Sequence, residues 1–397
     1  MTTRLRAGIV GTGFVGRQHV DALRRLGTVD VSAVAASSPD RATEAAMTLG
    51  VERSSGDWRE LTGSPEIDVI HVCVPNHLHH EVVQAALAAG KDVVCEKPLA
   101  ISLEQGQRLA RLAADSDRTA VLCHNYRFYA MVVELRARVQ SGELGAVHAI
   151  RGSYLQDWLL AAADTNWRVD PERGGASRVV ADIGSHWLDL AEAVTGCRLE
   201  AVMAQVGTVH ASRPAESRVT FGAGTEEARG DEWAPVATED QAALLLRFHG
   251  GIQGALVLSQ VAAGHKNQLE LSLDAANASA TWRQERPDEL WIGHRDRPSE
   301  LVSRDERTLS PEAAAMTRLP AGHNEGWSDG LRNLLAASYE EIGRRRGGSD
   351  APGPSGGMPL PTFEDGVRHL GFVQAALRSS AEGRWVSLAD VMEAVSA

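Results

Sequence analysis

The 397-residue sequence is poor in lysine: Lys91, Lys97 and Lys266 are its three, and the rest of its 40 basic residues are arginine. Arginine stays protonated under ordinary conditions, so histidine and these lysines are the basic side chains able to exchange a proton. A basic excess is also missing. The 40 basic residues face 52 acidic ones, a net charge of −12, which argues against a surface that tracks phosphates and against a nucleic-acid partner. The run Arg344-Arg345-Arg346 closes a predicted helix, where positive charge sits well at the negative end of the helix dipole. Long apolar runs are absent too. Stretches such as Val69 to Val74 and Ala242 to Leu246 fall far short of the roughly 20 residues of a membrane span, and the N-terminal Met-Thr-Thr-Arg-Leu-Arg lacks a signal-peptide core. The expectation is a cytoplasmic protein without a membrane partner. Cys73, Cys95, Cys123 and Cys197 stand far apart with no CxxC spacing, which suits reduced core thiols better than disulfides or zinc. No internal repeat is evident.

What is present falls into two patterns, as the length suggests. Up to about residue 125, short apolar runs predict strands at Leu5–Val10, Val29–Ala35, Ile67–Val74, Asp92–Cys95 and Thr119–Cys123. They alternate with helical periodicity at Val15–Leu26, Pro39–Leu49, His77–Ala89 and Leu103–Ala114. Gly27, Gly50 and Gly90 follow three of these helices as C′ residues. The repetition predicts a doubly wound parallel sheet of Rossmann type over residues 1–125. Residues 126–397 read as an α+β domain with long, mostly antiparallel strands. A helix is expected at Arg127–Gln140, extended runs at Val147–Trp158, Glu200–His210, Asp240–Phe248, Ile252–Val261 and Gln268–Trp282, and a final helix at Phe363–Ser379. Gly250-Gly251 marks a hairpin. Pro214–Thr238 and Gly343–Pro361 read as mobile loops.

Gly11-Thr12-Gly13-Phe14-Val15-Gly16 follows the first strand and opens a helix. Placed there, GxGxxG permits a tight turn and brings backbone close to a pyrophosphate resting on the helix N-terminus, whereas a glycine-rich turn without a ligand is the plainer alternative. At the end of the second strand, where a carboxylate would accept hydrogen bonds from the ribose of NAD, the sequence instead has Ser37, Ser38 and Arg41. These could contact a 2′-phosphate, a lean toward NADP over NAD, unless Arg41 is a solvated first-turn residue. Pro75-Asn76-His77-Leu78-His79-His80 crowds three histidines at a strand end. Their spacing is not the i, i+4 pair of a metal site, so capping by Asn76 and a polar lining are expected, and no metal. Glu96-Lys97-Pro98 occupies the next strand end, where a lysine can meet a ligand, or else form a surface ion pair. Asp182 and His186 stand four apart on a predicted helix. They could share a site in which histidine accepts a proton as an alcohol is oxidised, or could be an N-cap and a packed residue.

These motifs, together with Asn125-Tyr126-Arg127 and Trp167-Arg168, occur in an order that resembles the Gfo/Idh/MocA oxidoreductases over nearly the whole chain. The stretch Tyr154-Leu155-Gln156-Asp157-Trp158 looks most like the levoglucosan dehydrogenase and sugar 3-dehydrogenase branch. The resemblance implies a Rossmann domain joined to a domain whose open sheet forms a homo-oligomer, dimer or tetramer. It implies hydride transfer between NAD or NADP and a ring hydroxyl of a sugar, glycoside or cyclitol. It makes Lys97, His186 and Asp182 catalytic, with His186 the acid/base. It assigns Gly11 to Val15, Pro75, Asn76, His79, Glu96, Asn125, Trp167 and Arg168 to the cofactor, and Tyr126, Gln156, Asp157 and, through Gly322-His323-Asn324-Glu325-Gly326-Trp327, His323 to the substrate. Two other functions stay open: glycoside cleavage through a transient oxidation with no net cofactor change, and a non-catalytic cofactor-sensing partner.

Overall fold

The computed structural model describes residues 4–215, 232–347 and 357–394. Six parallel strands form the first sheet: β1 Leu5–Val10, β2 Val29–Ala35, β3 Arg53–Ser55, β4 Val69–Val72, β5 Asp92–Cys95 and β6 Ala120–Leu122. Their order, β3-β2-β1-β4-β5-β6, is that of a dinucleotide-binding sheet, with its crevice between β1 and β4 where the winding reverses. All four residues of β4 and of β5 are buried, as strands covered on both faces require. Gly27, Gly50 and Gly90 take positive φ where the helices end, as their spacing predicts. The predicted helices at Pro39–Leu49 and Leu103–Ala114 are observed at those bounds. The short strand β3 and the helix Trp58–Gly63 were not anticipated.

The second sheet has nine strands: β7 Val147–Leu155, β8 Leu199–Gly207, β11 Gln241–Phe248, β12 Ile252–Ser259, β13 Gln268–Ala275, β14 Ser279–Arg283, β15 Glu289–Gly293, β16 Glu300–Ser303 and β17 Val386–Ser387. A separate hairpin joins β9 Ser212–Pro214 to β10 Trp233–Pro235. The large sheet runs β16-β15-β14-β13-β7-β12-β11-β8-β17. It is antiparallel except where β12 pairs with β7. The run expected as one strand from Gln268 to Trp282 is a hairpin of β13 and β14, turning at residues 276–278 where neither Gly nor Pro signals the reversal. Along β11 burial alternates strictly. Leu244, Leu246 and Phe248 are buried on one face of the sheet, which helix Phe363–Glu382 meets at β8 and helix Ser185–Thr195 at β7 and β13, whereas Leu245 on β11, Val257 on β12, Trp291 on β15 and Leu301 on β16 are exposed on the opposite, uncovered face.

Two C-terminal helices bind the halves together. Helix Trp327–Arg346 packs on Phe14–Leu26, and Phe363–Glu382 packs on Leu103–Ala114. The expected loop from Gly343 is therefore helical to Arg346, whose Nε donates to Asp92 at the start of β5 at 2.8 Å. Within the expected loop Pro214–Thr238, Pro214 and Trp233–Pro235 are instead paired strand residues of the β9–β10 hairpin, and residues 216–231 and 348–356 of the two expected loops lie outside the described residues. Among those described, no helix is long and apolar enough to cross a membrane.

Candidate functional site

A cleft of about 760 Å³ opens over the carboxyl edge of the parallel sheet and is closed on its far side by residues of the second half. Its floor at β1 is the glycine motif. Gly11 has φ +102, and a Cβ there would lie 2.3 Å from the carbonyl oxygen of Cys73; one on Gly16 would lie 1.9 Å from that of Gly11. Both positions therefore need glycine. A Cβ on Gly13, by contrast, would meet nothing within 4 Å. Helix Phe14–Leu26 begins there with no side-chain cap, so its first-turn N–H groups stay available to an anion in the cleft. Thr12, Phe14 and Val15 complete the floor. This cradle fits the pyrophosphate of a dinucleotide.

At the β2 end Ser37 and Arg41 line the cleft, and Arg41 Nη1 donates to Ser37 Oγ at 3.2 Å. Ser38 does not reach it: as N-cap of Pro39–Leu49 its hydroxyl accepts from the Arg41 backbone N–H. Pro75, Asn76 and His79 line the β4 end. Asn76 caps no helix; its Nδ2 donates to the carbonyl of Gly174 at 3.0 Å, tying the second half to the cleft. The ring nitrogens of His79 face the carbonyls of Pro98 and Val74 at 2.7 and 2.9 Å. Asn125 lies below Trp327, to whose carbonyl it donates. Arg168 stacks over Trp167, its guanidinium carbon 4.4 Å from the ring centre, at the rim.

The chemistry-bearing residues meet at the β5 end. Lys97 Nζ donates to the Asp182 carboxylate at 2.7 Å and to its backbone carbonyl at 2.8 Å. Gln260 Nε2 donates to the other carboxylate oxygen at 3.0 Å, and Arg168 Nε stands 3.5 Å from the first. Burial alone would raise the Asp182 pKa; the positive charges of Lys97 and Arg168 and these hydrogen bonds outweigh it and lower it to about 2. Asp182 belongs to a π-helical turn, Val180–Gly184, that runs directly into Ser185–Thr195. His186 follows on that helix, lining the same cleft. Its Nδ1 is buried without a hydrogen bond. Burial, then the charge of Lys97 and the neighbouring His124 and His369, hold its pKa well below the usual value, so the ring is neutral at pH 7. His124 stacks edge-on between His186 and His369, with ring centres 5.3 and 4.6 Å away.

Tyr126 and Gln156 form the wall opposite, joined through a residue that sequence reasoning does not single out. Asn267 Oδ1 accepts from the Tyr154 hydroxyl at 2.6 Å and from Gln156 Nε2 at 2.9 Å, and its Nδ2 donates to the Tyr126 hydroxyl at 3.2 Å. Asp157 is not brought to the cleft. Just past the end of β7, it accepts instead from Lys266 Nζ at 2.7 Å and the Gly264 N–H at 3.0 Å. His323 is not brought there either. It is exposed, its carbonyl accepts from Arg304, and the following helix is capped by Asp329, which accepts from the Gly326 N–H. His19, His71, His124, His369, Gln260 and Tyr339 were also missed, because their contacts link distant parts of the chain and leave no local signature.

Comparison with known proteins agrees with this geometry. Residues 5–124 match a family model described as an oxidoreductase family with an NAD-binding Rossmann fold, and residues 132–280 match the GFO/IDH/MocA C-terminal domain. The chain is 28% identical to the levoglucosan dehydrogenase of Pseudarthrobacter phenanthrenivorans, over 98% of this chain and 99% of that protein. A solved levoglucosan dehydrogenase in complex with NADH and L-sorbose superposes with a TM-score of 0.85 at 26% identity, covering 98% of this chain and 99% of the other. An inositol dehydrogenase homologue from Azotobacter vinelandii complexed with NAD+ superposes with a TM-score of 0.85 at 28% identity, covering 98% of both.

Proposed function

The chain belongs to the Gfo/Idh/MocA oxidoreductase family, and from that premise we propose that it is a dehydrogenase acting on a secondary ring hydroxyl of a sugar, glycoside or cyclitol. The observation that carries this reading is the meeting of Lys97, ionised Asp182 and neutral His186 in the cleft that the glycine cradle opens. The nicotinamide supplies the hydride acceptor or donor when bound. Lys97, held by Asp182, donates a hydrogen bond to the reacting oxygen and stabilises the negative charge it gains. His186, neutral and with Nδ1 buried, takes the hydroxyl proton on the nitrogen open to the cleft. Tyr126 and Gln156, braced by Asn267, offer donors and acceptors to neighbouring hydroxyls.

Residues 1–125 serve in this reading as the cofactor unit and 126–397 as the substrate and assembly unit. Ser37 and Arg41 favour NADP, since no carboxylate stands at the end of β2. The uncovered sheet face with Leu245, Val257, Trp291 and Leu301 supports a homo-oligomer, and four unpaired cysteines suit the cytoplasm. The test is a panel of sugars, cyclitols and glycosides with NAD and NADP, followed by absorbance of the reduced cofactor. Net reduction that depends on the sugar is expected, and Lys97→Ala should abolish kcat in a folded protein. Glycoside cleavage with no net reduction would replace this reading by the transient-oxidation one, and unchanged turnover in the variant would remove Lys97 from the mechanism.

A further inference from the structure

Under the cleft, four polar side chains form a continuous hydrogen-bonded chain. Glu96 Oε1 lies 3.1 Å from His19 Nε2, His19 Nδ1 lies 2.8 Å from His71 Nδ1, and His71 Nε2 lies 2.8 Å from the Tyr339 hydroxyl. They come from four places: the end of β5, helix Phe14–Leu26, strand β4 and helix Trp327–Arg346. Both imidazoles are fully buried. Two imidazoles beside strands of Val and Ile are an expensive way to fill a core that apolar residues would fill equally well.

Burial holds His71 neutral, and donors running from Tyr339 toward Glu96 satisfy every contact. Ionised Glu96 can only accept, so His19 donates from Nε2 and accepts at Nδ1. His71 then donates from Nδ1 and accepts at Nε2, and Tyr339 is the terminal donor. Burial opposes the charge on Glu96, but the His19 hydrogen bond and the nearby positive charge keep its pKa below the usual value. Its second oxygen accepts from the Lys97 N–H at 3.3 Å, so the carboxylate is fixed at both oxygens. Glu96 lines the cleft. Lys97 Nζ is committed to Asp182, and no side chain among the described residues forms an ion pair with Glu96 apart from the His19 contact. Glu96 thus keeps its charge at the cleft, moderated by His19 and Lys97. Hydride transfer changes the charge of a nicotinamide ring from positive to neutral and leaves the rest of the nucleotide unchanged.

We propose that His19, His71 and Tyr339 are positioning residues that hold Glu96 as a fixed negative charge selecting the oxidised over the reduced nicotinamide cofactor. This rests on the nicotinamide reading above, and the test separates the two. Dissociation constants for NAD+, NADP+, NADH and NADPH are measured by protein fluorescence on wild type, Glu96→Gln, His71→Leu and Tyr339→Phe, without turnover. Wild-type protein that binds none of the four would overturn the reading of the cleft itself. If it binds them, Glu96→Gln should weaken the oxidised form about tenfold and the reduced form by less than about twofold. Tyr339→Phe keeps the ring but frees His71 to adopt the opposite tautomer, so it and His71→Leu should shift the ratio in the same direction by about threefold. An unchanged ratio in Glu96→Gln overturns the charge selection. A parallel loss of both affinities in the other two variants overturns their positioning role and leaves them structural.

Discussion

On the parallel-sheet side of the cleft His19 and His71 commit every ring nitrogen to a partner. On the other side His124 makes no hydrogen bond, and His186 and His369 each leave Nδ1 unpaired. Both groups are buried histidine clusters, but their surroundings differ. A fully bonded chain fixes tautomers and geometry and resists change. In the second group proton affinity is set by burial and by the crowding of His124, His186 and His369 with Lys97 and Arg127. Such a group keeps a neutral imidazole open to the cleft.

Breaking the unbonded side at its working end should have the largest effect. His186→Asn is expected to lower kcat about a thousandfold while nicotinamide affinity, read by fluorescence, stays within about twofold; the reverse pattern would erase the contrast between the two clusters. The next effect is on acid stability. His369, lowered to about 4 by burial and by His124, stays neutral in the fold while an unfolded chain binds a proton from the usual 6.5 downward. Stability is thus unaffected by this residue above pH 6.5 and falls as pH drops toward 4, by about 2 kcal/mol at pH 5. His369→Leu should remove that much of the difference between urea unfolding free energies at pH 7.5 and pH 5. On the bonded side, His71→Leu leaves His19 Nδ1 and the Tyr339 hydroxyl without partners and should destabilise the protein by about 1–2 kcal/mol in thermal unfolding, with a loss of kcat far below that of His186→Asn. The smallest change sharpens the comparison by touching neither cluster. Arg41→Ala should lower the preference for NADP over NAD by about three- to tenfold in KM and leave kcat unaltered.

Much of this was legible in the sequence, and the reason is locality. The parallel sheet follows from apolar runs closed by Gly27, Gly50 and Gly90, and Gly11 to Val15, Lys97, Asp182 and His186 all line one cleft. Lysine scarcity pointed the same way: Lys91 is bound by the carbonyls of Ser64 and Ile67, Lys266 by Asp157, and only Lys97 reaches the cleft. Errors arose where neighbouring residues take different partners, as Gln156 and Asp157 do, or where a turn lacks Gly and Pro, as at residues 276–278. His19, His71 and Tyr339 were invisible for another reason. Their partners lie up to 268 positions away, and single histidines on a helix or strand carry no sign of who will meet them.

The π-helical turn at Val180–Gly184 has a consequence for anyone shortening or grafting this segment. Its backbone hydrogen bonds span one residue more, from the Ser185 N–H to the Val180 carbonyl, than those of the α-helix it feeds. Deleting a single residue there would let a regular helix run through and rotate Asp182 by about 100° relative to His186. The helix would look better formed by every local criterion, and Lys97 would have lost its anchor.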